Sequence, residues 1–192
     1  LPQVVQSFRS RFPEVRIALQ QSSPDHIAQW VMSGKADIGI ATEGLRQFDD
    51  LVSFPCYQWS HAIVVPDGHP LLQRGQVTLA DLASFPLITY DVGFTGRGHI
   101  DQAFRDAGLV PDIVLTAMDS DVIQQYVALG LGVGIVASMA VEASRSHGLR
   151  AIASNHLFAP NVTRLAVRRG AYLRRSRRGR ASPPPHRAGC RA

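Results

Sequence analysis

Thr89, Thr95, Gly96 and Arg97 have the types and spacing to hold a small anion, within the segment Leu-Ile-Thr-Tyr-Asp-Val-Gly-Phe-Thr-Gly-Arg from Leu87 to Arg97. Leu87 and Ile88 read as a buried strand, the polar residues after them as a loop, and a helix opens near Gly98. The first N–H groups of a helix lack internal partners, and the helix dipole favours negative charge there. Hydroxyls, free amides and one guanidinium at such a junction can seat an anion. The same residues also describe a capped helix start beside a solvated arginine, and the segment alone leaves both readings open. Two further strand-to-helix junctions offer hydroxyls, at Gln20 to Pro24 and at Ala117 to Asp121.

Other chemistries find little support. No Ser-His-Asp set or carboxylate pair sits in a supporting local motif, so catalysis is not expected, and no cofactor is implied. Gly130-Leu131-Gly132-Val133-Gly134 precedes its strand instead of following it, which argues against a dinucleotide fingerprint. His61, His69 and His147 lack metal-ligand spacing and read as surface or turn residues. Cys56 reads as a small core filler, or as a redox sensor if it proves accessible in an electropositive setting. Cys190 lies far off in the tail. Two cysteines in such different contexts do not make a disulfide framework, and a reducing cytoplasm is the simpler setting. Trp30 and Trp59 read as core, with Trp59 placed to wall a cleft.

Short strands alternate with amphipathic helices, which is an α/β pattern. A helix is expected from Pro2 to Phe12, with Val4, Val5, Phe8 and Phe12 on one face, and Pro13 stops it. Val15 to Leu19 alternates as a strand. Ser22-Ser23-Pro24 opens a helix carrying Ile27, Trp30 and Val31, because serine caps and proline suits a first turn. Gly34 ends it. Ala36 to Ala41 reads as a short buried strand closing on Thr42-Glu43. A long extended stretch, Leu51 to Val65, follows. Then come a helix at Thr78 to Leu82, the Leu87 strand, a helix to about Ala107, and a strand at Ile113 to Ala117. A helix at Ser120 to Leu129 turns Val122, Ile123, Tyr126 and Val127 inward. A buried strand at Val133 to Ala137, a helix at Ser138 to Ser146, and strands near Leu149 to Ala153 and Thr163 to Val167 complete the order.

The Leu51–Val65 stretch and the segment around Val136 to Ala140 are candidate crossovers between two lobes. They divide the chain into residues 1–64 plus about 138–170 (lobe I) and residues 65–137 (lobe II). Ligands of such sheets bind outside the carboxyl ends of the strands, so the junctions at Ser22 and Thr95 would face one another across a cleft.

Charge sits unevenly. The 192 residues carry a formal net charge of +5. Seven arginines and no acidic residue fall between Ala171 and Ala192, so removing them leaves −2 for the rest. The body has no electrostatic footprint for nucleic acid. The Arg/Pro-rich tail, 171–192, reads as disordered and solvated, with nonspecific phosphate contact as the alternative. No apolar run reaches the ~18 residues that span a bilayer.

At this point the sequence resembles the effector-binding domain of LysR-type transcriptional regulators, and within them the CysB branch. The resemblance rests on Gln21-Ser22-Ser23-Pro24, Ala36-Asp37-Ile38-Gly39-Ile40-Ala41-Thr42-Glu43, Pro55-Cys56-Tyr57-Gln58-Trp59, His69-Pro70-Leu71, Gly93-Phe94-Thr95-Gly96-Arg97, Asp119-Ser120-Asp121-Val122-Ile123 and Gly130-Leu131-Gly132-Val133-Gly134. It implies a two-lobed α/β domain of the periplasmic-binding-protein type (type 2), each lobe a small mixed sheet flanked by helices. It further implies regulation of sulfate assimilation and cysteine biosynthesis, and a small-molecule effector: a sulfate-like anion or an O- or N-acetylserine. Carried over by position, the ligand-binding residues are Ser22, Ser23, Pro24, Asp25, His26, Thr42, Thr89, Thr95, Gly96 and Gln125, with no metal. The family often has Thr-Gln where this chain has Asp25-His26, and threonine where it has Gln125. An ionised Asp25 repels an anion, or it faces the helix N–H groups as a capping charge. The family also implies a homodimer or tetramer in the full-length form, cytoplasmic location, and DNA contact through a helix-turn-helix segment that would precede Leu1. Past Leu173 the family continues as an amphipathic helix, where this sequence is Arg- and Pro-rich. The alternative reading is a solute-binding protein of a small-anion transport system.

Overall fold

The computed structural model describes residues 2–42, 44–94, 96–143 and 148–171. Thr95, His147, Cys190 and nearly all of the arginine-rich tail lie outside the described residues. The chain divides into two units, residues 1–20 with 170–192, and residues 21–169.

In the first unit, α1 (Pro2–Arg11) forms as its periodicity predicts, ending before Pro13. None of its residues is buried. The expected strand at Val15 to Leu19 does not form, and Val15, Ile17 and Leu19 are exposed. Alternation gives a strand its faces but not its ladder; a strand also needs a neighbour to hold its N–H and C=O groups.

The second unit holds two sheets. α2 (Pro24–Met32) leads to β1 (Gly39–Thr42), and β2 (Leu51–Trp59) and β8 (Asn161–Arg168) complete a three-stranded antiparallel sheet in the order β1-β8-β2. α2 covers one face, where Ala28, Val31, Leu45, Leu51 and Ala166 form a core. A Cβ on Gly39 would press on Ile27 and Val31 at 2.8 and 3.0 Å, so this glycine lets helix and strand close up. β1 is shorter and less buried than expected, since Ile38 and Ile40 are exposed.

The five-stranded sheet runs β5-β4-β6-β3-β7, from β3 (His61–Pro66), β4 (Leu87–Tyr90), β5 (Ile113–Ala117), β6 (Val133–Ala137) and β7 (Leu149–Ala153). β4 is parallel to β5 and β6, and β3 is antiparallel to β6 and β7. Alternation sends Ile63 and Val65 to one face and Val64 to the other. The first face packs with α3 (Leu79–Ala83) and α4 (Arg97–Asp106) through Leu82, Ile100 and Phe104. The second packs with α5 (Ser120–Ala128) through Ile123 and Val127, and α6 (Ser138–Ala143) follows β6. Each such fully buried Ile, Leu or Val contributes roughly 1.5–3 kcal/mol.

The sheets partition the chain differently from the expected lobes. The long Leu51–Val65 stretch is two strands, and it changes sheet at Ser60. β7 pairs with β3, so the chain returns to the smaller sheet only between Ala153 and Asn161 and not near 138. Val122, expected inward, is partly exposed, and Gln124 takes the buried place on α5.

Candidate functional site

The first turn of α2 is built as the sequence predicts. Ser23 is its N-cap, and its Oγ accepts from the His26 N–H at 3.4 Å. Pro24 occupies the first turn, where its missing N–H costs nothing. Asp25 lies exposed in that turn, where its charge complements the dipole. His26 is exposed, and its Nδ1 pairs with Ser22 Oγ at 3.3 Å. A Cβ on Gly44 would touch Pro24 Cβ at 3.2 Å and Asp25 Oδ1 at 3.8 Å. The helix start therefore sits beside the carboxyl end of β1, where Thr42 is half-buried. Ser22, Ser23, Pro24, Asp25, His26 and Thr42 form one neighbourhood.

At the other junction, Gly96 is the N-cap of α4 at φ +70°, with no side-chain cap. This left-handed conformation suits glycine. Arg97 was expected to offer its charge to an anion. It is instead buried and engaged internally, with Nε on Asp101 Oδ1 and Nη1 on the Tyr90 carbonyl, both at 2.7 Å. Thr89 is likewise consumed by the fold: it is fully buried, and its Oγ1 donates to the Ile135 carbonyl at 3.0 Å. A hydroxyl on a strand flanked on both sides finds a main-chain acceptor before it finds a ligand. Gln125 is exposed on α5.

Asn161 and Thr163, which the sequence reading missed, connect the two junctions. Thr42 pairs across the ladder with Thr163. Asn161 lies two residues away on the same face, about 7 Å along the strand. The amide of Asn161 occupies the space that a Cβ on Gly96 would need. Thr42, Thr163 and Asn161 thus form a short polar row that ends against the start of α4. Trp59 pairs with Asn161 and donates from Nε1 to Thr163 Oγ1 at 3.0 Å. The alternation of Asn161 and Thr163 after Pro160 was the available signal. It carries no information without the register of β8 against β1.

His61 is buried rather than superficial, with its ring edge-on to Trp59 and Phe158. Asn161 Nδ2 meets its Nδ1 at 3.4 Å, and its carbonyl accepts from Ser154 Oγ at 2.7 Å. Both segments that change sheet, at Ser60 and before Asn161, converge here. Cys56 is exposed at a bulge of β2 and is not a core filler. Trp59 is core as expected, while Trp30 is half-buried beneath the Lys35 ammonium at 4.4 Å. Among the described residues no cluster of His, Cys, Asp or Glu could hold a metal ion. No helix among them is long and apolar enough to cross a membrane.

This arrangement, two sheets joined by crossing strands with helix starts at the carboxyl ends, is that of LysR effector-binding domains. Residues 1–178 match the family described as the LysR substrate binding domain, and the chain belongs to it. Two transcriptional regulators of Burkholderia cenocepacia, SsuR and CysB, are each 54% identical over 174 residues, covering 91% of this chain and 56% of their own lengths. The Escherichia coli regulator Cbl is 48% identical over the same span and 55% of its length. The solved cofactor-binding domain of the Cbl regulator superposes with a TM-score of 0.87, covering 91% of this chain and 76% of that one. The chain spans about half the length of the curated relatives it matches. These relatives are HTH-type transcriptional regulators, which supports the regulator reading over the transport one.

Proposed function

We propose that this chain is the effector-sensing domain of a CysB-like regulator of sulfate assimilation and cysteine biosynthesis. Its ligand is a small oxyanion or an acetylserine-like inducer. The ligand sits between the α2 and α4 helix starts, over the row Thr42, Thr163 and Asn161. The observation that carries this reading is the contact of Asn161 with Gly96. It ties the α4 start to the strand that pairs with Thr42, and Thr42 ends beside Ser23, Pro24 and Asp25. Two helix N-termini converging on hydroxyls and one amide suit a negatively charged group. Thr95, immediately before Gly96, belongs to the same reading by sequence. Thr89 and Arg97 are left out of it, because both are buried and donate to main-chain carbonyls of the larger sheet. In the whole regulator, effector binding would shift the balance between lobe arrangements and hence the geometry of an oligomer on DNA.

Calorimetric titration with sulfate, thiosulfate and O-acetylserine tests this reading on the wild type, Ser22→Ala and Thr95→Ala. At least one ligand binds the wild type, and both variants bind it more weakly. Flat titrations with all three ligands, or affinities unchanged in both variants, would overturn it.

A further inference from the structure

β3 begins at His61, directly after the chain changes sheet at Ser60, and the return crossing ends at Asn161, the first residue of β8. Both side chains are buried, and they meet: Asn161 Nδ2 lies 3.4 Å from His61 Nδ1. The imidazole is held between Trp59 and Phe158, whose rings stand edge-on to it at 5.3 and 5.6 Å, and Ser154 Oγ donates to its main-chain carbonyl at 2.7 Å. An amide nitrogen only donates, so His61 Nδ1 accepts, and the ring is neutral with its proton on Nε2. The other end of the amide, Oδ1, has no hydrogen-bond partner among the described residues and packs against Gly96, the N-cap of α4. There its partial negative charge complements the positive end of the helix.

Protonation of His61 puts an N–H on Nδ1, facing the N–H of Asn161. Half a turn of the amide about its last bond resolves the conflict. Oδ1 then accepts a charge-assisted bond from the imidazolium, and Nδ2 takes the place beside Gly96, where its hydrogens oppose the helix dipole. We infer that His61 and Asn161 form a proton-operated switch in the crossing between the two sheets, which transmits the ionisation of a buried imidazole to the first turn of α4. The switch belongs to the fold and stands whatever ligand the cleft takes.

Trp59, Phe158, Ser154 and Ala137, which touch His61 or pair with it, carry no charge at these pH values. Tyr90 Oη accepts the Ala137 N–H, and burial holds its pKa above 10.0. On α5, Asp119 and Asp121 are exposed. On β7, Arg150 faces Asp67 at the far end of β3. On α4, beyond Asn161, Arg97 is tied to Asp101 and to the Tyr90 carbonyl, and His99 Nδ1 meets the Ala159 carbonyl at 3.1 Å. His99 is thus a second histidine whose charge reaches this helix.

The test is NMR of the full chain between about pH 8 and about pH 5, in the wild type, His61→Phe, Asn161→Leu and His99→Gln, each checked for folding by circular dichroism. Ring nitrogen shifts read the tautomer and midpoint of His61; amide shifts and hydrogen exchange read the start of α4. In the wild type His61 carries its proton on Nε2 at the alkaline end, and the amide shifts of Gly96 and Gly98 follow its midpoint. Over the same range the protection factor of the Arg97 amide, which donates to the Phe94 carbonyl at 2.9 Å, falls about tenfold. His99→Gln keeps this response. His61→Phe abolishes it, and Asn161→Leu leaves His61 titrating but disconnects α4. If one of these two buried variants does not fold, the other is read alone, and the tautomer needs only the wild type. A His61 that carries its proton on Nδ1 at the alkaline end, or that does not titrate in this range, overturns the inference. So does an α4 response that persists in His61→Phe or Asn161→Leu, or one that vanishes in His99→Gln.

Discussion

Arg97 donates through Nη1 to the main-chain carbonyl of Tyr90 at 2.7 Å, reaching back across the loop that precedes its own helix. Its Nε also binds Asp101, one turn on, so the guanidinium fastens the end of β4 to α4. A charge held this way shapes the junction without being offered to a ligand.

Arg97→Lys therefore lowers stability by about 1–3 kcal/mol, because an ammonium cannot span both partners. Urea unfolding measures this loss. Anion affinity of the folded fraction stays within about twofold, a difference well under the 1.4 kcal/mol of a tenfold change. A variant with intact stability and lost affinity would make Arg97 a ligand group after all.

Gly96→Ala meets two penalties, a left-handed backbone and overlap with the Asn161 amide. The backbone part alone is about 1–2 kcal/mol. In an Asn161→Ala background the overlap disappears and only the backbone part remains. A double-mutant cycle with a coupling energy above about 0.5 kcal/mol reports the contact, and strict additivity refutes it.

Tyr90 Oη is mostly buried, shares a 2.5 Å hydrogen bond with Ser120 Oγ and accepts the Ala137 N–H at 2.9 Å. Burial, first among its causes, raises its pKa above 10.0. The folded state thus favours the protonated phenol. This contribution is complete below the unfolded pKa and is lost as pH rises through it toward the folded value. Stability falls above about pH 10 in the wild type. Tyr90→Phe removes this tyrosine's share of the alkaline slope and costs about 1–3 kcal/mol at neutral pH by orphaning the Ala137 N–H. Denaturant melts across that pH range show both effects, and an unchanged slope would contradict the assignment.

Thr78 caps α3 in a reciprocal box, accepting from the Asp81 N–H at 3.1 Å and donating its own N–H to Asp81 Oδ2 at 2.9 Å. The Thr78 hydroxyl also donates to Asp81 Oδ2 at 2.7 Å, and this bond first, then the Thr78 N–H bond, holds the Asp81 pKa below 3.8. Its stabilising share is present above that pH and is lost as pH falls below it. Thr78→Ala costs about 1 kcal/mol and raises the Asp81 pKa toward its ordinary value, which carboxyl carbon NMR titration reads. An unmoved Asp81 would show that the box does not form in solution.

Much of this fold was legible because it is local. Ser23-Pro24 marked the start of α2, the Gly130-Leu-Gly turn marked the entry to β6, and the apolar runs at Ile63 and Ile135 marked buried strands. What stayed hidden depends on partners distant in sequence. Val15 to Leu19 has strand alternation but gains no ladder. His61 looked like a scattered polar residue until β3 and β6 placed it under Phe158 and Trp59. Thr89 and Arg97 carried the right chemistry for a ligand, but β6 and Asp101 claim their hydrogen-bonding groups first. Asn161 became a site candidate only through the register that pairs its strand with Thr42 and sets its amide against Gly96.

The central claim is that one ligand touches both helix starts, and backbone amide NMR of the chain during a sulfate or O-acetylserine titration reads this directly. The account predicts that the amides of Ser23 to His26, Pro24 excepted, and those of Gly96 and Gly98 shift together along one binding curve. Shifts confined to one of the two groups, or centred on the groove beside His99 and Asp106, would contradict it.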